Sequence, residues 1–490
     1  MSILHVIKQC KSVKQLHQVH AYTITTGLLP IYPLPILTNI LSTFITTLIP
    51  TSSANSSTLL SYAISVFCFI PNPSTFCYNN LIRIHTLLSF PFHALHLFAS
   101  MRHLSIPPDF HTFPFILKAC AQVRELSFSQ SIHSQAFKYG FLSDLFVLNS
   151  LIHAYSFSGC VNDAYKVFDE SSDKDVISYN SMIDGLVKSG EMTRARELFD
   201  LMPLRDEVSW GTMIAGYAQM NWCNESIELY NQMLALQLRP CNIVLVSALS
   251  SCARLGELEQ GKTIHEYINR NRIPVDSFLS TGLVDLYAKC GCMETARNIF
   301  ESSPDKNLIT WNAMLVGLAM HGYGSLLLAY FCRMIAAGIK PDGVTFLGVL
   351  VGCSHAGLVN EAQKLFKDME SVYGVSRDLK HYGCMADMLG RAGLIGEAIE
   401  MIYGMPIEGD IFVWGALLGG CRIHGNVEIA KRAALQIMEI KPEDGGVYSV
   451  MANIYANTEQ WEDVVKTRRS ISSNKRVKKI TGFSSIKLTG

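Results

Sequence analysis

No Cys-x-x-Cys pair occurs in this chain, although it holds 14 cysteines; the nearest approach is Cys290 with Cys292. That removes the usual zinc spacing. No compact apolar core follows Lys8, Lys11 and Lys14, so the start does not read as a secretory signal. The cysteines are therefore expected to be reduced thiols inside a cell. No apolar run reaches the roughly 20 residues that a bilayer helix needs; the longest, Leu59 to Ile70, is short and interrupted. No membrane insertion is expected. Net charge is missing as well, since 41 Lys and Arg balance 41 Asp and Glu. This balance limits the affinity available from phosphate neutralisation. It is uneven along the chain: no acidic residue precedes Asp109, while Lys466 to Lys479 is strongly basic.

What is present is repetition. Val176-Ile-Ser-Tyr-Asn-Ser-Met-Ile-Asp-Gly-Leu is matched by Leu308-Ile-Thr-Trp-Asn-Ala-Met-Leu-Val-Gly-Leu and by Thr75-Phe-Cys-Tyr-Asn-Asn-Leu-Ile. Counted from the first residue of each repeat, the apolar places are four, seven, eight and eleven: Tyr179, Met182, Ile183, Leu186, and Trp311, Met314, Leu315, Leu318. That spacing is one stripe of an α-helix. A second stripe follows at Ala195, Leu198, Phe199, Met202; at Ala94, Leu97, Phe98, Met101; and at Ala362, Leu365, Phe366, Met369. Gly-centred turns such as Lys188-Ser-Gly190 separate the stripes, and repeats close on Asp or Pro-Asp. A hairpin of two such helices cannot bury its own stripes. Stacked neighbours bury them, which predicts an all-α solenoid.

The repeats tile as 75–109, 110–144, 145–175, 176–206, 207–241, 242–276, 277–307, 308–342, 343–378 and 379–410. Upstream, residues 1–74 hold two degenerate repeats and a possible targeting segment. His20 and Gly27 keep the spacing of His133 and Gly140, and an insertion near Thr51 to Thr58 lengthens a turn. The alternating repeat lengths, with Leu117-Lys-Ala-Cys120, Gly256-Glu-Leu-Glu-Gln-Gly-Lys-Thr-Ile-His265 and Leu286-Tyr-Ala-Lys-Cys-Gly291, resemble the PLS subclass of plant pentatricopeptide repeat proteins. Val413-Trp-Gly-Ala-Leu-Leu418, Arg422-Ile-His-Gly-Asn426 and Asn453-Ile-Tyr-Ala456 resemble the two E motifs of that family, giving 411–444 and 445–478, with a tail at 479–490. The resemblance implies a right-handed α-solenoid superhelix that binds single-stranded RNA. Gly482-Phe-Ser-Ser485 stands where the family usually has Gly-Cys-Ser-Trp, and the DYW deaminase domain of longer members does not follow. A zinc deaminase needs His-x-Glu with Cys-x-x-Cys, and neither motif is present. The expectation is a protein that is not an enzyme and carries no metal or cofactor.

One base per repeat, read by two or three side chains, is the logic of such modules. The resemblance assigns the reading to the fifth and last residues of each repeat. Here these are Asn79 with Asp109, Asn149 with Asp175, Asn180 with Asp206, Thr281 with Asn307, and Asn312 with Asp342. In the family, Asn with Asp favours uracil and Thr with Asn favours adenine, which implies U-n-U-U-n-n-A-U-n-n from 5′ to 3′. Pro114, Gly211 with Cys241, Val246, Leu347 and Gly383 offer little to a base edge. The basic residues Lys466, Arg468, Arg469, Lys475, Arg476, Lys478 and Lys479 are candidates for phosphate or partner contact.

Each feature also has a plainer reading. Closing Asp residues cap helices. Gly256-x-x-x-x-Gly261-Lys262-Thr263 matches a P-loop, yet no strand precedes it and it falls on the turn and second helix of a repeat. Cys120, Cys252, Cys353 and Cys421 share the eleventh place, which reads as core. His133 and His265 share place 24, so they read as repeat positions. The functional expectation is a site-recognition factor for organellar C-to-U RNA editing, with a DYW-type deaminase and other editing factors supplied in trans. RNA stabilisation, splicing or translation is the alternative, and a tetratricopeptide-like protein scaffold is the alternative of another class. An acid-free start suits a mitochondrial protein, or a chloroplast one.

Overall fold

The computed structural model describes residues 3–31, 33–45, 56–303, 305–442 and 445–473. Every regular element among them is helical. The chain divides into two compact halves, 1–244 and 245–490. Gly482 to Ser485 lie outside the described residues, as does most of the insertion near Thr51.

In the first half, helices Thr75–Leu87, Thr112–Val123, Leu145–Phe157, Val176–Lys188 and Glu207–Gln219 lie side by side in chain order. Between them in sequence run Pro91–His103, Leu126–Lys138, Val161–Glu170 and Met192–Leu201, each resting on the first helix of its own repeat and on that of the next. Ahead of these, Ile7, Leu16, Leu37, Ile40, Phe44 and Val66 form a buried cluster that joins the N-terminal helices to Leu81 and Ile84.

The second half repeats the arrangement. Helices Ser277–Lys289, Leu308–Met320, Gly343–Ala356, Leu379–Arg391, Ile411–His424 and Gly445–Asn457 pack in series. Their companions Met293–Ser302, Gly324–Ala336, Val359–Ser371, Ile395–Tyr403 and Val427–Ile440 cover the seams.

The stripes read from the sequence explain this packing. Met182, Ile183, Leu186, Met314, Leu315 and Leu318 are wholly buried, and burying each such side chain is worth about 1.5–3 kcal/mol. Tyr179, Leu97 and Leu365 are only half-buried, at the margins of their stripes. Helix starts are fixed by caps: Asp175, Asp206, Asp342 and Asp378 each close a capping box with the third residue of the following helix.

Contacts between repeats account for the residues with plainer readings. Cys120, Cys252, Cys353 and Cys421 are fully buried. Burial pushes the Cys120 thiol up to about 12 and those of Cys353 and Cys421 to about 11, so they stay protonated. His133 Nδ1 lies 2.9 Å from the Tyr155 hydroxyl of the next repeat, and His265 Nδ1 lies 2.9 Å from that of Tyr287. His20 is joined in the same way to Tyr62 at 3.1 Å. The P-loop-like segment runs into helix Leu258–Arg270, where Lys262 pairs with Glu259 at 2.8 Å. A Cβ on Gly261 would strike the side chain of Leu286. That glycine is a packing residue. Among the described residues no group of three or more His, Cys, Asp or Glu could hold a metal ion, and no helix is long and apolar enough to cross a membrane.

Candidate nucleic-acid interface

The fifth residue of a repeat stands next to the fourth, which is buried or half-buried, on the first turns of the first helix. The last residue of the same repeat caps the start of the next first helix: Asp175, Asp206, Asn307 and Asp342 are its N-cap, and Asp109, two residues before N-cap His111, accepts the His111 and Thr112 N–H. Because successive first helices are adjacent, these two places meet although about thirty residues of chain separate them. Asn79 Nδ2 donates to Asp109 Oδ1 at 2.9 Å, and Asn149 Nδ2 to Asp175 Oδ1 at 3.4 Å. Asn180 Nδ2 donates to Asp206 Oδ1 at 3.1 Å, and Asn312 Nδ2 to Asp342 Oδ1 at 3.1 Å. The structure thus brings together four of the five pairs expected from the sequence.

The fifth pair is joined indirectly. Thr281 Oγ1 donates to the Ser277 carbonyl at 2.6 Å and lies 2.7 Å from Thr310 Oγ1, which bonds Asn307 Oδ1 at 3.1 Å. Thr281 and Asn307 share a partner rather than a bond.

Capping and pairing use the same carboxylate oxygen. Asp175 Oδ1 accepts the Ser178 N–H at 2.7 Å and the Ser178 hydroxyl at 2.8 Å, in addition to the Asn149 amide. Asp206 with Ser209 and Asp342 with Thr345 repeat the pattern. Burial alone raises the pKa of these three carboxyls, but the N–H, hydroxyl and Asn amide donors outweigh it. Each carboxyl is held below its ordinary value. A permanent negative charge at the Asp therefore fixes the Asn amide with its nitrogen inward on that side. One Nδ2 hydrogen of each goes to the Asp.

A third feature emerges only from the structure. The second residue of most repeats is apolar and exposed: Phe76, Phe146, Ile177, Val208, Ile243, Phe278, Ile309, Val344 and Phe412 are between 53% and 82% accessible. Large apolar groups recurring in solvent at a fixed place mark a contact surface. A signal for it exists in the sequence, since place two is apolar yet out of phase with the buried stripe at four, seven, eight and eleven. Phe146 and Ile177 line a groove of about 670 Å³ that also holds Asn149, Asp175 and Lys118. Val208 and Ile243 line an equivalent groove of about 340 Å³, where Gly211 and Cys241 replace the Asn and Asp. Such a groove can take a flat ring between two apolar walls, with an amide donor at its edge.

Of the basic residues, Lys466, Arg468 and Arg469 lie on helix Trp461–Ser473 with exposed side chains. Lys466 is 3.8 Å from Asp463. Lys475, Arg476, Lys478 and Lys479 lie outside the described residues.

Comparison with known proteins gives concordant matches. The family model for the PPR repeat matches residues 146–176, 177–206, 208–238, 279–308, 309–339, 344–372 and 380–409. The model for the E motif matches 424–487. A pentatricopeptide repeat-containing protein of Arabidopsis thaliana is 54% identical over 494 residues, covering 99% of both chains. Another from the same plant, designated chloroplastic, is 39% identical and covers 98% of this chain and 84% of its own length. The crystal structure of the maize pentatricopeptide repeat protein PPR10 superposes with a TM-score of 0.54 at 16% identity, covering 96% of this chain and 78% of that one.

Proposed function

The chain belongs to the pentatricopeptide repeat family, and from that premise we propose that it binds single-stranded RNA in a base-specific manner through the Asn and Asp pairs. The observation that carries the reading is the pairing itself. In four repeats an Asn amide is oriented by the carboxylate that closes the same repeat. In each, an apolar second residue also stands exposed one turn away. The exposed apolar faces stack bases and the Asn N–H reads an acceptor on the base edge, uracil O4 in the proposed reading. Thr281 with Asn307 reads adenine. The order U-n-U-U-n-n-A-U-n-n follows, with the N-terminal repeat at the 5′ side.

The test is a binding series on a ten-nucleotide RNA of that order, with each base varied in turn. Asn180→Thr is expected to move the preference at the fourth nucleotide from uracil toward guanine. An unchanged preference would remove the reading scheme from this protein.

The match to the E motif supports a narrower role, the choice of sites for C-to-U editing with a DYW-type deaminase recruited in trans. Lys466, Arg468 and Arg469 on helix Trp461–Ser473, with Lys475, Arg476, Lys478 and Lys479 beyond it, serve phosphate or partner contact in this scheme. The proposed compartment is the mitochondrion, on the acid-free stretch before Asp109; the chloroplast is the alternative that one relative's designation supports. Sequencing organellar RNA from a plant lacking the protein tests both points. Loss of one editing event at normal transcript level supports the role in editing. Loss of the transcript itself indicates stabilisation instead.

A further inference from the structure

The four Asn side chains are not held alike. In repeats 75–109 and 308–342 the following repeat carries Thr at its third place. Thr112 Oγ1 donates to Asn79 Oδ1 at 2.8 Å, and Thr345 Oγ1 donates to Asn312 Oδ1 at 2.6 Å. The same hydroxyls lie 2.9 and 2.8 Å from the Asp oxygens, so one hydroxyl hydrogen is shared between two acceptors. Asn79 and Asn312 are accordingly 5% and 8% exposed.

In repeats 145–175 and 176–206 the third place of the following helix is Ser. Ser178 and Ser209 donate only to Asp175 and Asp206, both at 2.8 Å. Asn149 Oδ1 and Asn180 Oδ1 are buried and accept no hydrogen bond. The β-methyl of Thr restricts χ1 and so keeps its hydroxyl turned toward the neighbouring helix; Ser lacks that restriction.

An amide held at both ends offers a ligand only an N–H. One held at its nitrogen alone can turn over and offer its carbonyl oxygen in the same place. Turning over exchanges a donor for an acceptor, the difference between what uracil O4 and the cytosine amino group require. In either kind of repeat the turn gives up the Asp bond and sets Oδ1 against a carboxylate; in a Thr repeat it also breaks the Thr bond. A Ser repeat lacks that second restraint, and a base donor would satisfy an otherwise empty acceptor.

We infer that the hydroxyl residue at the third place of the following repeat sets how strictly each Asn distinguishes uracil from cytosine. Thr112 and Thr345 are positioning residues for strict repeats. Ser178 and Ser209 leave tolerant ones. The inference rests on the proposal that these Asn residues face a base.

The experiment uses the full chain and ten-nucleotide RNAs carrying uracil or cytosine at the fourth or eighth nucleotide. One hydrogen bond's net contribution corresponds to about a two- to tenfold change in ratio. Ser209→Thr is expected to raise the uracil-to-cytosine affinity ratio at the fourth nucleotide by that factor. Thr345→Ser is expected to lower it similarly at the eighth. Thr already occupies this place at residues 112, 310 and 345, so the backbone accommodates either residue. Unchanged ratios in both variants, while Asn180→Thr still alters the preference at the fourth nucleotide, overturn the inference alone. If Asn180→Thr changes nothing either, the base-reading scheme falls and takes this inference with it.

Discussion

Asn312 and Asp342 stand thirty residues apart, and the amide nitrogen of the first is 3.1 Å from the carboxylate oxygen with which the second caps helix Gly343–Ala356. One oxygen therefore both caps the helix and orients the Asn312 amide. The two roles separate by mutation. Asp342→Ala removes an N-cap, which costs about 0.5–2 kcal/mol, and also releases the amide. Asn312→Ala keeps the cap. Thermal melts should show a loss for Asp342→Ala and little for Asn312→Ala, while both lose preference at the eighth nucleotide. Equal melting losses would show that Asn312 is structural.

Most of the fold was legible in the sequence because the repeats are one pattern written many times. The buried stripe at places four, seven, eight and eleven is fixed by helical period, and it led to Met182, Ile183 and Leu186 in the core. The Asn and Asp places recur with the same pattern, and the family resemblance singled them out. Their contact was not, since it arises between neighbouring first helices and spans about thirty residues. The third place was invisible in this sense: Ser and Thr look equivalent in a sequence, but only Thr112 and Thr345 reach across to the Asn. Place two escapes a search for buried stripes, because its apolar residues fall out of phase with them.

Gly420 lies where helix Ile411–His424 meets helix Leu379–Arg391. A Cβ at Gly420 would fall 2.5 Å from the Cα of Gly390, against backbone that has no side chain to swing aside. Gly420→Ala must therefore push the two helices apart, at a cost of about 1–3 kcal/mol. A melt of the full chain checks this. Gly419→Ala, with open space around it, is the control expected to be neutral or slightly stabilising.

His133 and His265 predict a pH dependence. Burial is the largest influence on both rings and lowers their pKa from the ordinary 6.5. In the unfolded chain these rings take protons first on acidification. The stability they contribute is complete above about pH 6.5 and is lost as pH falls through the lowered values. Melting temperature should therefore decline between pH 7 and pH 5, above the range where carboxylates titrate. Replacing both with Gln should make that decline shallower; an identical slope would locate the effect in other groups.

The charge balance makes a final prediction about salt. RNA affinity weakens with salt in proportion to the phosphates neutralised, with a logarithmic slope of about −0.7 per contact for a single strand. In this chain three cations on the first helices are already paired within their own helix. Lys188 meets Asp184 at 2.6 Å, Lys289 meets Asp285 at 2.8 Å and Arg391 meets Asp387 at 3.0 Å. A phosphate must compete with those carboxylates, so these three cations release few counterions when RNA binds. The expected slope is shallow, about −3 or less in magnitude, and specificity must come from the Asn and Asp pairs and from stacking. Titration of binding from low to high salt measures it. A slope steeper than about −6, the mark of eight or more neutralised phosphates, would contradict this division of labour. Asp184→Asn, which frees Lys188, should steepen the slope by about 0.7 and strengthen binding to every RNA alike, because a phosphate contact carries no base preference.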